Sequence, residues 1–273
     1  MDLEGMISGK NGKSFITQRS APVNDPHFWD GRAESFTEFA ARTGYAEKFL
    51  KIMNPEPDWT VLDMACGGGT LAVPLAAKVK SVTAVDFSTS MLAVLLERCL
   101  DRGIKNVKRV HGRWEDDWNE LGIGMHDVAV ASRSLLADDA RASILKLQNA
   151  ARRQVYISTM VDAGPFDRRM FEATGRKFSM GPDYIYYYNL LYEMGIHANV
   201  AFIPEYHADN WANHEEALAG QRWMFNSLTG EEEEKLRAYL EDHLSFDDGR
   251  WWLPYERLCL WAVMWWDNRR HKE

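Results

Sequence analysis

Two acidic residues and the glycine-rich turn between them form the clearest candidate chemical site in the sequence. Asp63 follows an apolar run at 61–62, three glycines occupy 67–69, and Asp86 ends the next apolar run. Glycine allows positive φ angles and lets a ligand approach the backbone without meeting a Cβ atom. A carboxylate at the end of the second strand can accept hydrogen bonds from both hydroxyls of a ribose. The pattern therefore predicts a ligand that contains a nucleoside.

The position of Asp63 distinguishes two classes of nucleoside cofactor. Segment 67–72 also fits the G-x-G-x-x-A pattern of dinucleotide-binding oxidoreductases, but their turn follows the strand directly, so that a pyrophosphate reaches the helix N-terminus. Asp63 would repel a diphosphate and attract a cation. S-adenosylmethionine carries an ammonium, a sulfonium and a ribose diol, and it satisfies Asp63 and Asp86 together. An NAD-dependent oxidoreductase is the alternative interpretation, and NAD but not S-adenosylmethionine would then stabilise the protein against heat.

Both motifs resemble those of the class I S-adenosylmethionine-dependent methyltransferases. Segment 63–69 is similar to the glycine-rich first motif of that family, and segment 85–92, which contains D-x-S-x-x-M-L, is similar to the second. The resemblance covers residues 60–161 well. It implies an α/β fold with a seven-stranded, mostly parallel Rossmann-like sheet, an antiparallel last strand and helices on both faces.

The resemblance also implies roles for individual residues. Asp63 would hold the methionine amino group, Asp86 would bind the ribose hydroxyls, and Phe87 would pack on the adenine. Ser132, at the end of the fourth strand, would face the transferring methyl group. The remaining predicted cofactor-site residues are Ala65, Cys66, Gly67, Gly69, Met91, Trp114, Glu115 and Arg32.

Four of these assignments have alternatives. Arg113 stands where the family often has an acid in its third motif, so Glu115 or the main chain would have to supply the adenine amino contact, with Trp114 stacking on the ring. Phe87 and Trp114 could instead be core aromatics, because buried aromatic residues mostly serve packing. Arg32 suits the cofactor carboxylate, because a guanidinium matches a carboxylate bidentately, but a surface salt bridge is an equal alternative.

Short apolar runs alternate with helical patterns from residue 60 onward, as is typical of βαβ units. The predicted strands are 60–63, 81–86, 106–111, 127–132, 154–161, 198–206 and 256–266, and the predicted helices are 70–78, 88–99, 138–152, 182–194, 214–226 and 229–243. Before the sheet, segment 34–46 has helical periodicity and is predicted to cover the carboxyl edge of the sheet. The residues expected to point inward are Phe36, Phe39 and Ala40 within this segment and Phe49 just after it.

These elements predict a division of the chain into parts. Residues 1–55 form an N-terminal arm and cap helix, and residues 56–273 form the methyltransferase domain. Of the 33 aromatic residues, 21 lie at 165–273, which places the acceptor pocket in the second part of the chain. Residues 207–250, between the sixth and seventh strands, are predicted to form a substrate lid because long inserts of this kind are commonly functional.

Composition excludes several functional classes. The 273 residues have a formal net charge of −8 and no basic run, which disfavours a nucleic-acid partner. The longest strictly apolar run, 258–266, is too short for a membrane span of about 20 residues, and no signal peptide is visible, so a cytoplasmic location is expected. Three cysteines argue against a disulfide framework, and no close His or Cys spacing predicts a metal site.

The sequence therefore predicts an enzyme that transfers the methyl group of S-adenosylmethionine in line to a small-molecule acceptor. A protein or RNA acceptor is an alternative, given basic residues at 102, 105, 108, 109 and 113. A module that binds the cofactor without catalysis is another, and its cleft could be sealed where an enzyme needs a second pocket. No catalytic base is predicted, because a base is needed only if the acceptor proton must leave early.

Overall fold

Three short helices precede the sheet in the part of the chain that the structure describes. The computed structural model describes residues 25–135, 139–178, 183–225 and 227–268, so residues 1–24 of the predicted arm lie outside the described residues. Helices α1 (Pro26–Asp30), α2 (Ala33–Arg42) and α3 (Tyr45–Met53) form the N-terminal cap. The prediction of one helix over 34–46 is wrong, because Gly44 adopts a φ of +68° and separates α2 from α3.

Seven strands form the main sheet. They are β1 (Thr60–Met64), β2 (Ser81–Asp86), β3 (Val107–His111), β4 (His126–Ser132), β5 (Ala151–Val161), β6 (Asn199–His207) and β10 (Arg257–Asp267). Their order is β3-β2-β1-β4-β5-β10-β6, and β10 runs antiparallel to both of its neighbours. The strand order reverses between β1 and β4, which is where open α/β sheets bind ligands. The predicted fold class, including the antiparallel last strand, is confirmed.

Helices cover both faces of this sheet. They are α4 (Ala72–Ala76), α5 (Thr89–Asp101), α6 (Ala140–Ala150) and α8 (Tyr184–Glu193). Val61 and Leu62, adjacent on β1, belong to the two cores on opposite faces, which explains why the strand is apolar throughout. The Ser88 side chain caps α5 by accepting a hydrogen bond from the Met91 N–H.

A third, smaller core lies in the second part of the chain. It joins α7 (Arg168–Thr174), α9 (His214–Gln221) and α10 (Gly230–His243) to a small sheet of β7 (Asn210–Trp211), β8 (Ser245–Asp247) and β9 (Arg250–Trp252). The sequence predicted neither α7 nor this sheet, because segments of two to seven residues carry little periodicity. Within the described part of the chain, no helix has the length and apolar character that crossing a bilayer requires.

Candidate functional site

A cavity of about 470 Å³ opens at the carboxyl ends of β1, β2 and β4, and we call it the cofactor cleft. Ten of the twelve predicted cofactor-site residues line it: Asp63, Ala65, Cys66, Gly67, Asp86, Phe87, Met91, Trp114, Glu115 and Ser132. The structure does not bring Gly69 or Arg32 to its wall. The cap closes one side of the cleft through Trp29 and Phe36.

Asp63 carries a buried carboxylate with an unsatisfied oxygen. The side chain is 2% exposed, one oxygen accepts from the Ala72 backbone N–H, and Oδ2 has no hydrogen-bond partner among the described residues. Burial, with a further contribution from the negative charge of Asp86, raises the pKa of Asp63 to about 7. An unpaired carboxylate in such surroundings is costly, so the cleft fits a cationic ligand at this point.

Asp86 organises the glycine turn. Its Oδ2 accepts from the Gly67 N–H at 2.7 Å, and its Oδ1 accepts from the Ser88 N–H at 2.9 Å. Burial raises the pKa of Asp86, while these backbone hydrogen bonds oppose the shift. A carboxylate offers about four lone-pair sites, so each oxygen retains the capacity to accept one ribose hydroxyl.

Two glycines of the turn permit close packing. A Cβ atom on Gly68 would lie 2.0 Å from Thr37 Oγ1 of the cap helix α2. Gly69, with a φ of +81°, would place a Cβ atom 2.5 Å from Leu95 Cδ1 of α5. Gly69 therefore supports the turn from behind instead of lining the cleft. Glycine at 68 lets α2 pack directly on the turn.

Aromatic and charged side chains form the far end of the cleft. The Arg113 guanidinium lies 5.3 Å from the centre of the Phe87 ring. Trp114 is 9% exposed, and its Nε1 donates to the Ser134 carbonyl at 3.2 Å. Glu115 is exposed at the same end. These residues line the cleft on the side of β3, beyond Asp86.

The opposite end holds a hydroxyl cluster beneath an arginine. The Tyr45 hydroxyl lies 2.8 Å from Ser132 Oγ and 2.6 Å from Ser158 Oγ. Burial raises the pKa of Tyr45. The Arg133 guanidinium lies 4.2 Å from the centre of the Tyr45 ring and 5.2 Å from that of Trp261. Arg133 is not among the predicted site residues, because its neighbours in the sequence give no local signal.

A second cavity, of about 450 Å³, adjoins the cofactor cleft, and we call it the aromatic cavity. Trp29, Phe36 and Arg133 line both cavities. Its other aromatic lining residues are Phe28, Phe39, Phe166, Phe171, Phe178, Trp211, Trp223 and Trp261. Arg32 lies here, where its Nη1 donates to the Phe28 carbonyl and its guanidinium covers the Phe28 ring at 4.1 Å.

The aromatic cavity also corrects one cap prediction. Ala40 and Phe49 are buried as expected, but Phe39 is 46% exposed and stacks on His207 at 5.2 Å between ring centres. Phe39 therefore covers the rim of the cavity instead of the core. The predicted lid segment supplies Trp211 and Trp223 to the cavity wall.

Polar groups occupy one wall of the aromatic cavity. Glu205, 4% exposed, accepts from Trp261 Nε1 through Oε2, while its Oε1 has no partner in the described ranges. Burial, reinforced by the charge of Arg257, lowers the pKa of His207. Burial raises the pKa of Cys259 to about 12. One ligand atom of each of these three residues lies within 4.8 Å of the others.

The chain is similar to known proteins both in one segment and over most of its length. Residues 61–153 match the family model described as a methyltransferase domain. An uncharacterized protein of Haemophilus influenzae is 32% identical over 249 residues, which are 90% of each chain. A candidate methyltransferase structure from Bacillus halodurans has a TM-score of 0.56 at 15% identity and covers 82% of this chain and 98% of its own.

The chain belongs to the class I S-adenosylmethionine-dependent methyltransferases. This membership confirms the predicted family, enzyme class and cofactor. The unsatisfied Oδ2 of Asp63 fits the ammonium group of that cofactor, and the open oxygen positions of Asp86 fit its ribose.

Two further relatives match less than half of this methyltransferase. A demethylmenaquinone methyltransferase of Listeria monocytogenes is 26% identical over 108 residues, 36% of this chain and 46% of the relative. A 23S rRNA (uracil(1939)-C(5))-methyltransferase of Vibrio vulnificus is 31% identical over 114 residues, 40% of this chain and 25% of the relative. By their names, these two relatives methylate different classes of acceptor.

Proposed function

We propose that this methyltransferase methylates a small, largely apolar acceptor bound in the aromatic cavity. The observation that carries the proposal is the shared wall of Trp29, Phe36 and Arg133 between the two cavities. An acceptor in the second cavity would meet the reactive end of a cofactor in the first. A volume of about 450 Å³ suits a small molecule, whereas an RNA or protein target would use an open surface.

Each end of the cofactor cleft has a proposed binding role. Asp63 holds the amino group, Asp86 binds the ribose hydroxyls, and Phe87 with Trp114 packs against the adenine. Glycines at 67 and 69 shape the turn beneath these groups. Two buried acids and a pair of aromatic residues lie along one cleft, and this arrangement supports the proposed orientation. A ligand that carries a cation, a diol and an aromatic base has one group for each of these three features.

Catalysis then depends on alignment. The cofactor supplies an electrophilic methyl group on a sulfonium. Ser132 and Arg133 mark the point where the two cavities join, and the cap residues Trp29 and Phe36 exclude water from that point. Holding two reactants in line contributes about 7–11 kcal/mol toward lowering the barrier. The aromatic walls supply the binding energy that holds the acceptor.

A screen for tritiated methyl transfer tests the proposal. Small aromatic and apolar metabolites, a total RNA fraction and a protein fraction would each be incubated with the enzyme and labelled cofactor. We expect label in a small molecule. Label only in RNA or protein would contradict the proposal.

A matched pair of variants then locates the acceptor. Trp223→Ala removes a wall of the aromatic cavity, and Trp252→Ala removes a tryptophan from β9 that lines neither cavity. We expect Trp223→Ala to lower kcat/KM for the acceptor by roughly 10–100-fold, the loss from one buried aromatic contact, with unchanged affinity for S-adenosylhomocysteine. An equal effect of the two substitutions would contradict the assignment.

A further inference from the structure

Three chemically distinct side chains meet on one face of the main sheet. Glu205 and His207 lie two residues apart on β6, so their side chains point to the same face of the sheet. Cys259 on β10 lies opposite Glu205 in the strand register. One carboxylate oxygen, one imidazole nitrogen and the thiol sulfur all lie within 4.8 Å of one another. The sheet, and not a loop, therefore fixes their relative positions.

All three side chains line the aromatic cavity, and one carboxylate oxygen of Glu205 lacks a partner among the described residues. Glu205 Oε1 is buried without a hydrogen-bond partner among the residues that the structure describes. The nearby cation Arg257 is paired with Asp209 at 3.3 Å and also donates to the Pro165 carbonyl. Buried polar atoms are normally satisfied, so the unpaired oxygen points to a ligand that belongs at this position.

The donor set indicates which ligand this is. Calcium and magnesium prefer oxygen ligands, whereas one sulfur, one nitrogen and one oxygen suit Zn²⁺. Three protein ligands with one remaining position are the arrangement of catalytic zinc sites, and structural sites use four. We propose that Glu205, His207 and Cys259 bind one Zn²⁺ ion, with its fourth position open to the aromatic cavity.

The open position has a consequence for the acceptor. An acceptor with a thiol, or another donor atom that zinc favours, would bind the ion through that atom and be held against the cofactor cleft. This consequence rests on the proposed function, whereas zinc binding itself does not. Zinc binding displaces the Cys259 thiol proton into solvent.

Metal binding is tested on the full chain after treatment with EDTA and removal of the chelator. Zn²⁺ would be titrated against a chromophoric competitor, and Co²⁺ would be used to detect a thiolate-to-cobalt absorption band. We expect one equivalent of Zn²⁺ and a cobalt–thiolate band. Cys259→Ser and His207→Ala should each weaken zinc binding at least 100-fold and Cys259→Ser should abolish the band, while Glu205→Gln should weaken binding roughly tenfold.

Two controls make the outcome decisive. Cys99→Ser replaces another buried, unpaired cysteine, on α5, and should leave zinc binding unchanged. Calorimetry with S-adenosylhomocysteine reports folding of every variant, because none of the three proposed ligands lines the cofactor cleft. Absence of stoichiometric zinc binding by the parent chain, or binding that survives Cys259→Ser, would overturn the site. A negative screen for methyl transfer would instead count against the proposed function alone.

Discussion

Asp63 and Asp86 end neighbouring parallel strands, and the charge of one raises the pKa of the other. Asp63 is paired with Ala84 in the register of β1 and β2, two residues before Asp86. Burial and the Asp86 charge raise the pKa of Asp63 from 3.8 to about 7. Both carboxylates of the pair are therefore ionised only near neutral pH and above. A cationic ligand relieves the repulsion between their two negative charges.

The first prediction concerns pH and cofactor affinity. An ammonium group is attracted to ionised Asp63, so binding of S-adenosylhomocysteine should strengthen as pH rises through 7. With a pKa of about 7, affinity at pH 8 should exceed affinity at pH 6 by about tenfold. Calorimetry across this range measures the effect. Asp63→Asn should bind more weakly and with a flat pH profile, and an unaltered slope in that variant would contradict the assignment.

The second prediction concerns stability, which should decrease with rising pH, whereas cofactor affinity should increase. Folding raises the pKa of Asp63, so the native chain binds more protons than the unfolded chain between about pH 4 and 7. The contribution of Asp63 to the free energy of unfolding is thus fully present below pH 4 and decreases as pH rises to 7. Urea unfolding of the parent and of Asp63→Asn at pH 5 and 8 checks this. The parent should lose more stability than the variant over that interval.

The third prediction concerns Asp86. Asp86→Ala removes the acceptor for the Gly67 and Ser88 N–H groups and for the ribose hydroxyls. Two charge-assisted hydrogen bonds are each worth about 1.5–3 kcal/mol, so affinity for S-adenosylhomocysteine should fall by roughly 100-fold or more. Asp101→Ala, which replaces an exposed carboxylate on α5, is the control. Affinity retained in Asp86→Ala would count against the whole site.

The fourth prediction uses the contact between α2 and the glycine turn. Gly68→Ala would place a Cβ atom 2.0 Å from Thr37 Oγ1, and overpacking of this kind costs about 1–3 kcal/mol. Urea unfolding should show that loss. Gly124→Ala, where a Cβ atom meets nothing within 4 Å, should be nearly neutral. Thr37→Ala should restore most of the stability of Gly68→Ala, and a purely additive double variant would contradict this packing.

The fifth prediction assigns the cofactor carboxylate to Arg133. The sequence indicated Arg32, but Arg32 lines only the aromatic cavity, whereas Arg133 lies beside Ser132 in the cofactor cleft. We expect Arg133→Met to weaken binding of S-adenosylhomocysteine by roughly tenfold or more, the value of one charged hydrogen bond. Arg32→Met should change it less than threefold. The reverse ranking would restore the original assignment.

The parts of the fold that depend on local patterns could be predicted. Apolar runs such as 61–62 specify buried strands, and the glycines at 67–69 specify the turn between strand and helix. Asp63 and Asp86 follow directly, because the carboxyl ends of neighbouring parallel strands meet at one edge of the sheet. The cap was less predictable, since Phe39 fits an inward helical position but covers the cavity rim beside His207.

The missed residues depend on contacts between distant segments. Arg133 occupies the cavity junction because the backbone turns sharply after β4, with a φ of +59°, and arginine gives no sequence signal for that conformation. Cys259 meets Glu205 only through the pairing of β10 with β6. Register between strands so far apart in sequence is a tertiary property, so spacing rules for metal motifs did not detect this cluster.

The two cavities are formed by different parts of the chain. Every described residue that lines the cofactor cleft precedes residue 135, while most of the described lining of the aromatic cavity comes from residues 159–261. The two cavities share Trp29 and Phe36 of the cap, together with Arg133. Under the proposed function, divergence within residues 159–261 would change which acceptor is methylated while binding of the methyl donor is retained. A chimera of two relatives joined after β5 should then inherit its donor affinity from one parent and its acceptor range from the other.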